Sequence, residues 1–165
     1  MLPNPAQPQL YPRRVLLAVS GLSPQIVTET IYALASDAQH GPFVPTEVHL
    51  ITTREGAQRA ELSLLSDDLG WFHRLCNDFH LPGITFNRQH IHIIRDHAER
   101  GMDDIRSQAD NRAAADFITA QVRHFTADTQ CALHVSIAGG RKTMGFFLGY
   151  ALSLYGRAQD RLSHV

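Results

Sequence analysis

Residues 131–156 read CALHVSIAGGRKTMGFFLGYALSLYG, an apolar run joined to an apolar helical pattern through Ala138, Gly139, Gly140, Arg141, Lys142 and Thr143. Glycine lets a backbone approach a ligand closely, Arg and Lys bring positive charge, and the start of a helix offers free N–H groups at its positive dipole end. Together these suit a phosphate group. A second segment of the same kind, Ser20, Gly21, Leu22, Ser23, Pro24 and Gln25, also joins an apolar run to a helical pattern. The plainer alternatives are a glycine turn with two solvated cations for the first segment and ordinary helix capping for the second.

Two standard phosphate motifs are excluded. Gly-x-x-x-x-Gly-Lys-Ser/Thr fails because Arg141 separates Gly140 from Lys142 and Val135 stands where the first glycine belongs. Gly-x-Gly-x-x-Gly fails because Gly21 stands alone after the first apolar run. Among the ten histidines, His90 and His92 alternate onto one strand face with His97 nearby, but no acidic or thiol partner sits at ligand spacing. Ordinary, partly exposed histidines are therefore expected, with no metal and no cofactor. Arg157 and His164 have a spacing seen in some ribonuclease motifs, but they straddle a helix end and a strand start, so chance explains them better. The polar stretch Asp103, Asp104, Ile105, Arg106 is long enough to close over a ligand, or serves only as an exposed loop before a helix.

The elements that must position these residues alternate along the chain. Arg14 to Ser20 is a nearly continuous apolar run, as in a strand buried on both faces. Ser23 as cap and Pro24 in the first turn predict a helix with Val27, Ile31, Leu34 and Ala38 on one side. Glu47 to Thr52 reads as a second strand, followed by a helical stretch carrying Ala57, Leu64 and Leu65 and another over Leu69 to Phe79. Strand material at Ile84 to Phe86 and His90 to Ile94 precedes a polar loop, with Asp110 or Asn111 capping a helix that carries Ala114, Phe117, Ile118, Val122 and Phe125. Cys131 to Ile137 is the fourth strand, and Lys142 to Tyr155 is a helix with Met144, Phe147, Leu148, Ala151 and Tyr155 on its buried stripe. This order predicts a single α/β domain, a Rossmann-like, mostly parallel sheet with helices on both faces. In such a sheet the ligand crevice lies beyond the carboxyl ends of the strands, where both glycine segments fall. The last residues, Arg161 to Val165, look like the start of a further strand, either very short or cut from a longer protein.

Composition sets the outer bounds. The chain has 165 residues, 44% of them hydrophobic, enough for one domain with a real core over residues 14–165. Residues 1–13 carry four prolines and are expected to form a flexible leader, without the apolar stretch of a signal peptide or membrane helix. A formal charge of -1 gives no basic field for duplex DNA, so any polyanion must meet a local site. Cys76 and Cys131 are far apart in sequence, which argues against a disulfide scaffold and suits a reducing, cytoplasmic setting.

The segments LLAVSGLSPQIVTETIYAL, TEVHLITTREGAQRAELSLL, DDIRSQADNRAAADFI and HVSIAGGRKTMGFFLGYAL together resemble successive motifs of the CRISPR-associated Rossmann-fold (CARF) domains of type III CRISPR accessory proteins. The likeness covers roughly residues 14–165 and is nearest to the ring nucleases and the sensor halves of accessory ribonucleases. It implies a homodimer that binds cyclic tetra- or hexa-adenylate across its two-fold axis, with no duplex DNA and no membrane as partner. By motif, Ser20, Gly21, Leu22, Ser23 and Gln25 would line one loop, and Ala138, Gly139, Gly140, Arg141, Lys142 and Thr143 the other. Thr52, Thr53, Asp103 and Arg106 would be neighbours.

Some members of that family cut the ring without a metal. A ribose 2'-hydroxyl attacks the adjacent phosphodiester, leaving a linear oligoadenylate with a 2',3'-cyclic phosphate. The resemblance then gives Lys142 or Arg141 the role of stabilising charge on the phosphate, and Ser20 or Ser23 that of orienting the hydroxyl. The accessory ribonucleases carry a further helical domain that these 165 residues do not include. A non-catalytic sensor is thus the rival reading, and an unrelated nucleotide-binding α/β protein a third.

Overall fold

The computed structural model describes residues 1–164. Five strands, β1 (Arg13–Val19), β2 (Glu47–Thr52), β3 (Ile91–Ile93), β4 (Cys131–Ser136) and β5 (Arg161–Ser163), form one sheet in the order β3-β2-β1-β4-β5. Every neighbouring pair is parallel. The helices are α1 (Ile26–Ala35), α2 (Arg54–Ala60), α3 (Trp71–Asp78), α4 (Gln108–Thr126) and α5 (Lys142–Tyr155). A π-helical turn, Glu61–Leu65, extends α2, so the expected helical stretch through Leu64 and Leu65 is continuous but underwound at its end.

Alternation along the central strand divides the core. Val15, Leu17 and Val19 point to one face, where α4 and α5 bring Ala114, Ile118, Val122, Met144, Leu148 and Ala151. Leu16 and Ala18 point to the other, against Val27, Ile31 and Leu34 of α1 and Phe72 of α3. Helices therefore cover both faces of an all-parallel sheet, which is why its strands read as apolar runs. This is the Rossmann-like α/β architecture the element order predicted.

Several local expectations are corrected. The helix after β3 is capped by Ser107, not by Asp110 or Asn111. The Asp110 N–H donates to Ser107 Oγ at 3.0 Å, and the Asp110 carboxylate accepts the Ser107 N–H at 3.1 Å. Ser23 makes no cap for α1, which starts two residues later than its serine would require. Ala38 lies beyond α1 and is exposed, because the helix stops at Ala35. Residues 84–86 form only an isolated bridge, Thr85 to Glu47, and do not lengthen β3. The proline-rich segment expected to be loose is packed: Tyr11 is 2% exposed, its hydroxyl donates to the Pro3 carbonyl at 3.2 Å, and Pro8–Leu10 make a 3-10 turn.

Short polar anchors tie the ends of this sheet. Asp160, whose side chain is 1% exposed, accepts the Leu133 N–H at 2.9 Å and pairs with Arg157, which also donates to the carbonyls of Asp128 and Cys131. Arg157 therefore belongs to a structural anchor joining β4 to β5. Cys131 is buried, and its burial pushes the thiol up to about 11, while Cys76 is half-buried.

Candidate functional site

The chain runs outward from β1 to β2 and β3 on one side, and from β4 to β5 on the other, so β1 and β4 flank the point where the strand order reverses. α1 leaves β1 for one face of the sheet and α5 leaves β4 for the opposite face. The diverging connections open a crevice at the carboxyl edge of the sheet. Both glycine-containing segments lie there.

Their approach is close. A Cβ built on Gly139 would stand 2.6 Å from the Val19 carbonyl oxygen and 2.8 Å from Ile26 Cγ2, so only glycine lets the two loops touch. Gly140 adopts φ +76°, the left-handed region that turns the chain into α5. Neither α1 nor α5 has a side-chain cap at its N-terminus, whereas α2 is capped by Thr53 and α4 by Ser107. Of these starts, the uncapped one of α5, with Arg141 as its N-cap residue, borders the crevice, as does the capped start of α2 at Thr53.

The crevice has a volume of about 410 Å³, within the range of about 300–1,000 Å³ typical of ligand sites. Of the residues singled out from the sequence, Gly21, Leu22, Ser23, Thr53, Asp103, Arg106, Gly140 and Arg141 line it. The loop after β3 is strapped over it: Arg54 donates to the Gly101 carbonyl at 3.0 Å and lies 3.6 Å from Asp103, while Asp104 pairs with both Arg106 and Arg141. The Ile105 N–H, with the Arg106 and Arg141 guanidiniums, holds the Asp104 carboxyl below the usual carboxylate range. Asp104, Glu55 and Met144 also line the crevice. Asp104 belongs to the polar loop the sequence offered as a cover for a ligand and Met144 was expected only on the buried stripe of α5, while Glu55 was not singled out, because only the fold brings α2 to the Gly140 turn.

Other expected residues fall elsewhere. Ser20 and Thr52 are both 0% exposed, beneath the crevice floor. The Ser20 N–H stays in the sheet ladder, donating to Ile51 at 3.1 Å, so the strand's alternation carries its hydroxyl into the interior. Neither hydroxyl reaches the crevice. Gln25 and Thr143 are exposed but border neither this crevice nor the adjoining cavity, since each lies on the outer turn of its helix.

That second cavity, about 530 Å³, lies on the far side of the same turn and is lined by Ala138, Gly139, Lys142, Phe146, Tyr150 and His164, among others. Lys142 is exposed and makes no ion pair among the described residues. Beside it, Phe146, Tyr150 and Leu154 repeat every four residues along α5 and are 65%, 58% and 59% exposed. Such a row of large apolar side chains is unusual on a monomer surface.

The family described as CRISPR-associated protein NE0113 (Cas_NE0113) matches residues 23–165, which include the β4 loop, the end of the β1 loop and every strand except β1. The chain belongs to this CRISPR-associated family. Membership of the NE0113 family places the protein in CRISPR defence. Searching the curated proteins gives no match. Among solved structures, a ferredoxin-NADP+ reductase from Plasmodium falciparum is similar at 16% identity and a TM-score of 0.40. The alignment covers 99% of this chain and 57% of the reductase, so the chain spans little more than half of that protein. No helix among the described residues of this NE0113-family chain is long and apolar enough to cross a membrane.

Proposed function

We propose that this NE0113-family protein binds cyclic oligoadenylate, a ring of four or six units, as a CARF-type homodimer, and that it opens the ring. The observation that carries the reading is the meeting of the β1 and β4 loops at the reversal of strand order, with the uncapped start of α5, a tight Gly139 contact and cations from Arg141 and Lys142. Backbone N–H groups and dipoles of this kind suit phosphates held in a compact ring better than a basic surface would.

A second copy docked on Phe146, Tyr150 and Leu154 would bury the exposed row on α5. Because α5 begins at Lys142, that arrangement sets two GGRK turns on either side of the two-fold axis, facing a symmetric ligand. The cavity beside Lys142 and Tyr150 lies along the same seam.

Ring opening needs an in-line 2'-hydroxyl and charge stabilisation at the phosphate. Lys142, exposed and unpaired among the described residues, is the cation most available for the phosphate. Arg141 is tethered by Asp104 and must exchange that carboxylate for phosphate when a ligand enters. Ser23 is exposed at the crevice and takes over the orienting role that the burial of Ser20 denies it.

The test is incubation of the purified protein with labelled cyclic tetra- and hexa-adenylate in EDTA, with products resolved by chromatography. Linear product ending in a 2',3'-cyclic phosphate, lost in a folded Lys142→Ala variant, is the expected result. Tight binding of intact ring would leave a sensor, and equal binding of ATP would point to an unrelated nucleotide-binding protein.

A further inference from the structure

At the opposite, amino-terminal part of the sheet, three side chains converge with no chemistry assigned to them. Glu47 and His49 alternate onto the same face of β2, and His90 lies at the entrance to β3, the edge strand. One ligand atom from each of these three lies within 4.8 Å of the others. The imidazoles of His49 and His90 stack at 4.0 Å with 17° between their planes.

One hydrogen bond fixes the His90 tautomer. His90 Nδ1 lies 2.9 Å from the Val48 carbonyl oxygen, which can only accept, so the proton is on Nδ1 and the Nε2 lone pair is free. His49 Nδ1 lies 2.9 Å from His92 Nε2. His49 is 7% exposed, and its Nε2 is buried without any hydrogen-bond partner. The nearest group is Glu47 Oε1 at 3.8 Å, too far for a hydrogen bond. When His49 carries its proton on Nδ1 and donates to His92, its Nε2 presents a bare, buried lone pair 3.8 Å from the Glu47 carboxylate and beside the stacked His90 ring, a group that a cation would satisfy.

We infer that Glu47 Oε1, His49 Nε2 and His90 Nε2 form a two-histidine, one-carboxylate site for a divalent transition cation of the zinc class. Ligand atoms around tetrahedral zinc stand about 3.3 Å apart and each imidazole binds in its own ring plane, so closing the site takes a turn of the half-buried His90 ring out of the stack and a movement of the half-buried Glu47 side chain. The surroundings are those of a metal site. His92 Nε2 stands within hydrogen-bond distance of His49 Nδ1, the Val48 carbonyl accepts from His90, and Arg13 holds the far oxygen of Glu47. Three protein ligands leave a fourth position for water. The ion would pin the three-residue edge strand β3 to β2. The site is separate from the crevice and stands whether or not the crevice takes cyclic oligoadenylate.

The experiment uses the full chain without an affinity tag, stripped with EDTA and titrated with Zn²⁺ by calorimetry and with Co²⁺ by visible absorption. The expected result is one equivalent of Zn²⁺ and a tetrahedral Co²⁺ spectrum. Affinity should fall by at least ~10-fold in Glu47→Gln and in His90→Gln, and remain unchanged in His97→Gln, whose ring pairs with Asp116. Imidazole ¹⁵N spectra of the wild-type protein give a readout independent of variant folding, in which Zn²⁺ should shift Nε2 of His49 and His90. No uptake of Zn²⁺ by the folded wild type, equal uptake by the folded variants, or unshifted Nε2 resonances would overturn the site.

Discussion

Replacing Gly139 with alanine tests whether the meeting of the two loops builds the crevice. The new methyl would lie 2.6 Å from the Val19 carbonyl oxygen and 2.8 Å from Ile26 Cγ2, where ordinary contacts begin at 3.4 Å. The β4 loop must therefore retreat from the β1 loop by a large part of an ångström, and overpacking of this kind costs about 1–3 kcal/mol. For a chain of this size, each kcal/mol lowers Tm by about 2–4 °C, giving a fall of roughly 2–12 °C. Gly140→Ala supplies the contrast. Its φ of +76° imposes about 1–2 kcal/mol of left-handed strain, but the added Cβ meets nothing nearer than 3.4 Å. Both variants should melt earlier by calorimetry, yet only Gly139→Ala should weaken binding of labelled cyclic tetra-adenylate by more than ~10-fold, measured well below both melting points. A Gly139→Ala protein as stable as wild type, or one that binds as well as Gly140→Ala, would refute the argument.

Asp160→Ala leaves the Arg157 guanidinium without its carboxylate and the buried Leu133 N–H without an acceptor, so denaturant unfolding should show a loss of about 3 kcal/mol. His134, packed on Phe43 with Ser163 Oγ at 2.8 Å from its Nε2, is pushed down to about 4 by burial, with Arg161 adding to the effect. The unfolded chain then binds a proton more readily than the folded one. The stability His134 contributes is complete above pH 6.5 and is lost as pH falls through 4, a span of about 3 kcal/mol. Subtracting the pH profile of His134→Asn from that of wild type should isolate this slope, and parallel profiles would contradict it. Tyr150→Glu places a charge in the middle of the exposed α5 row and should convert a dimer to a folded monomer in sedimentation, with native far-UV dichroism; an unchanged sedimentation coefficient would remove that face from the interface.

The sequence by itself determined the order of elements and the nature of the crevice-facing loops. Apolar runs at Arg14 to Ser20 and Cys131 to Ile137 could only be strands buried on both faces. Gly139 and Gly140 before Lys142 marked a tight turn into a helix, because these signals are local and depend on spacing alone. Caps were less legible. Ser107, not Asp110 or Asn111, starts α4, since serine and aspartate serve either position and the capping box decides between them.

Tertiary structure decided what depends on registry between distant segments. Strand alternation buried Ser20 and Thr52, a difference of one residue that turns a side chain from solvent to interior. Pairing of β2 with β3 brought Glu47 and His49 to His90 across more than forty residues, supplying the acidic partner that no local spacing displayed. Asp104 found Arg141 in the same way, because a charge pair is set by the path of the backbone and leaves no periodic trace in the sequence.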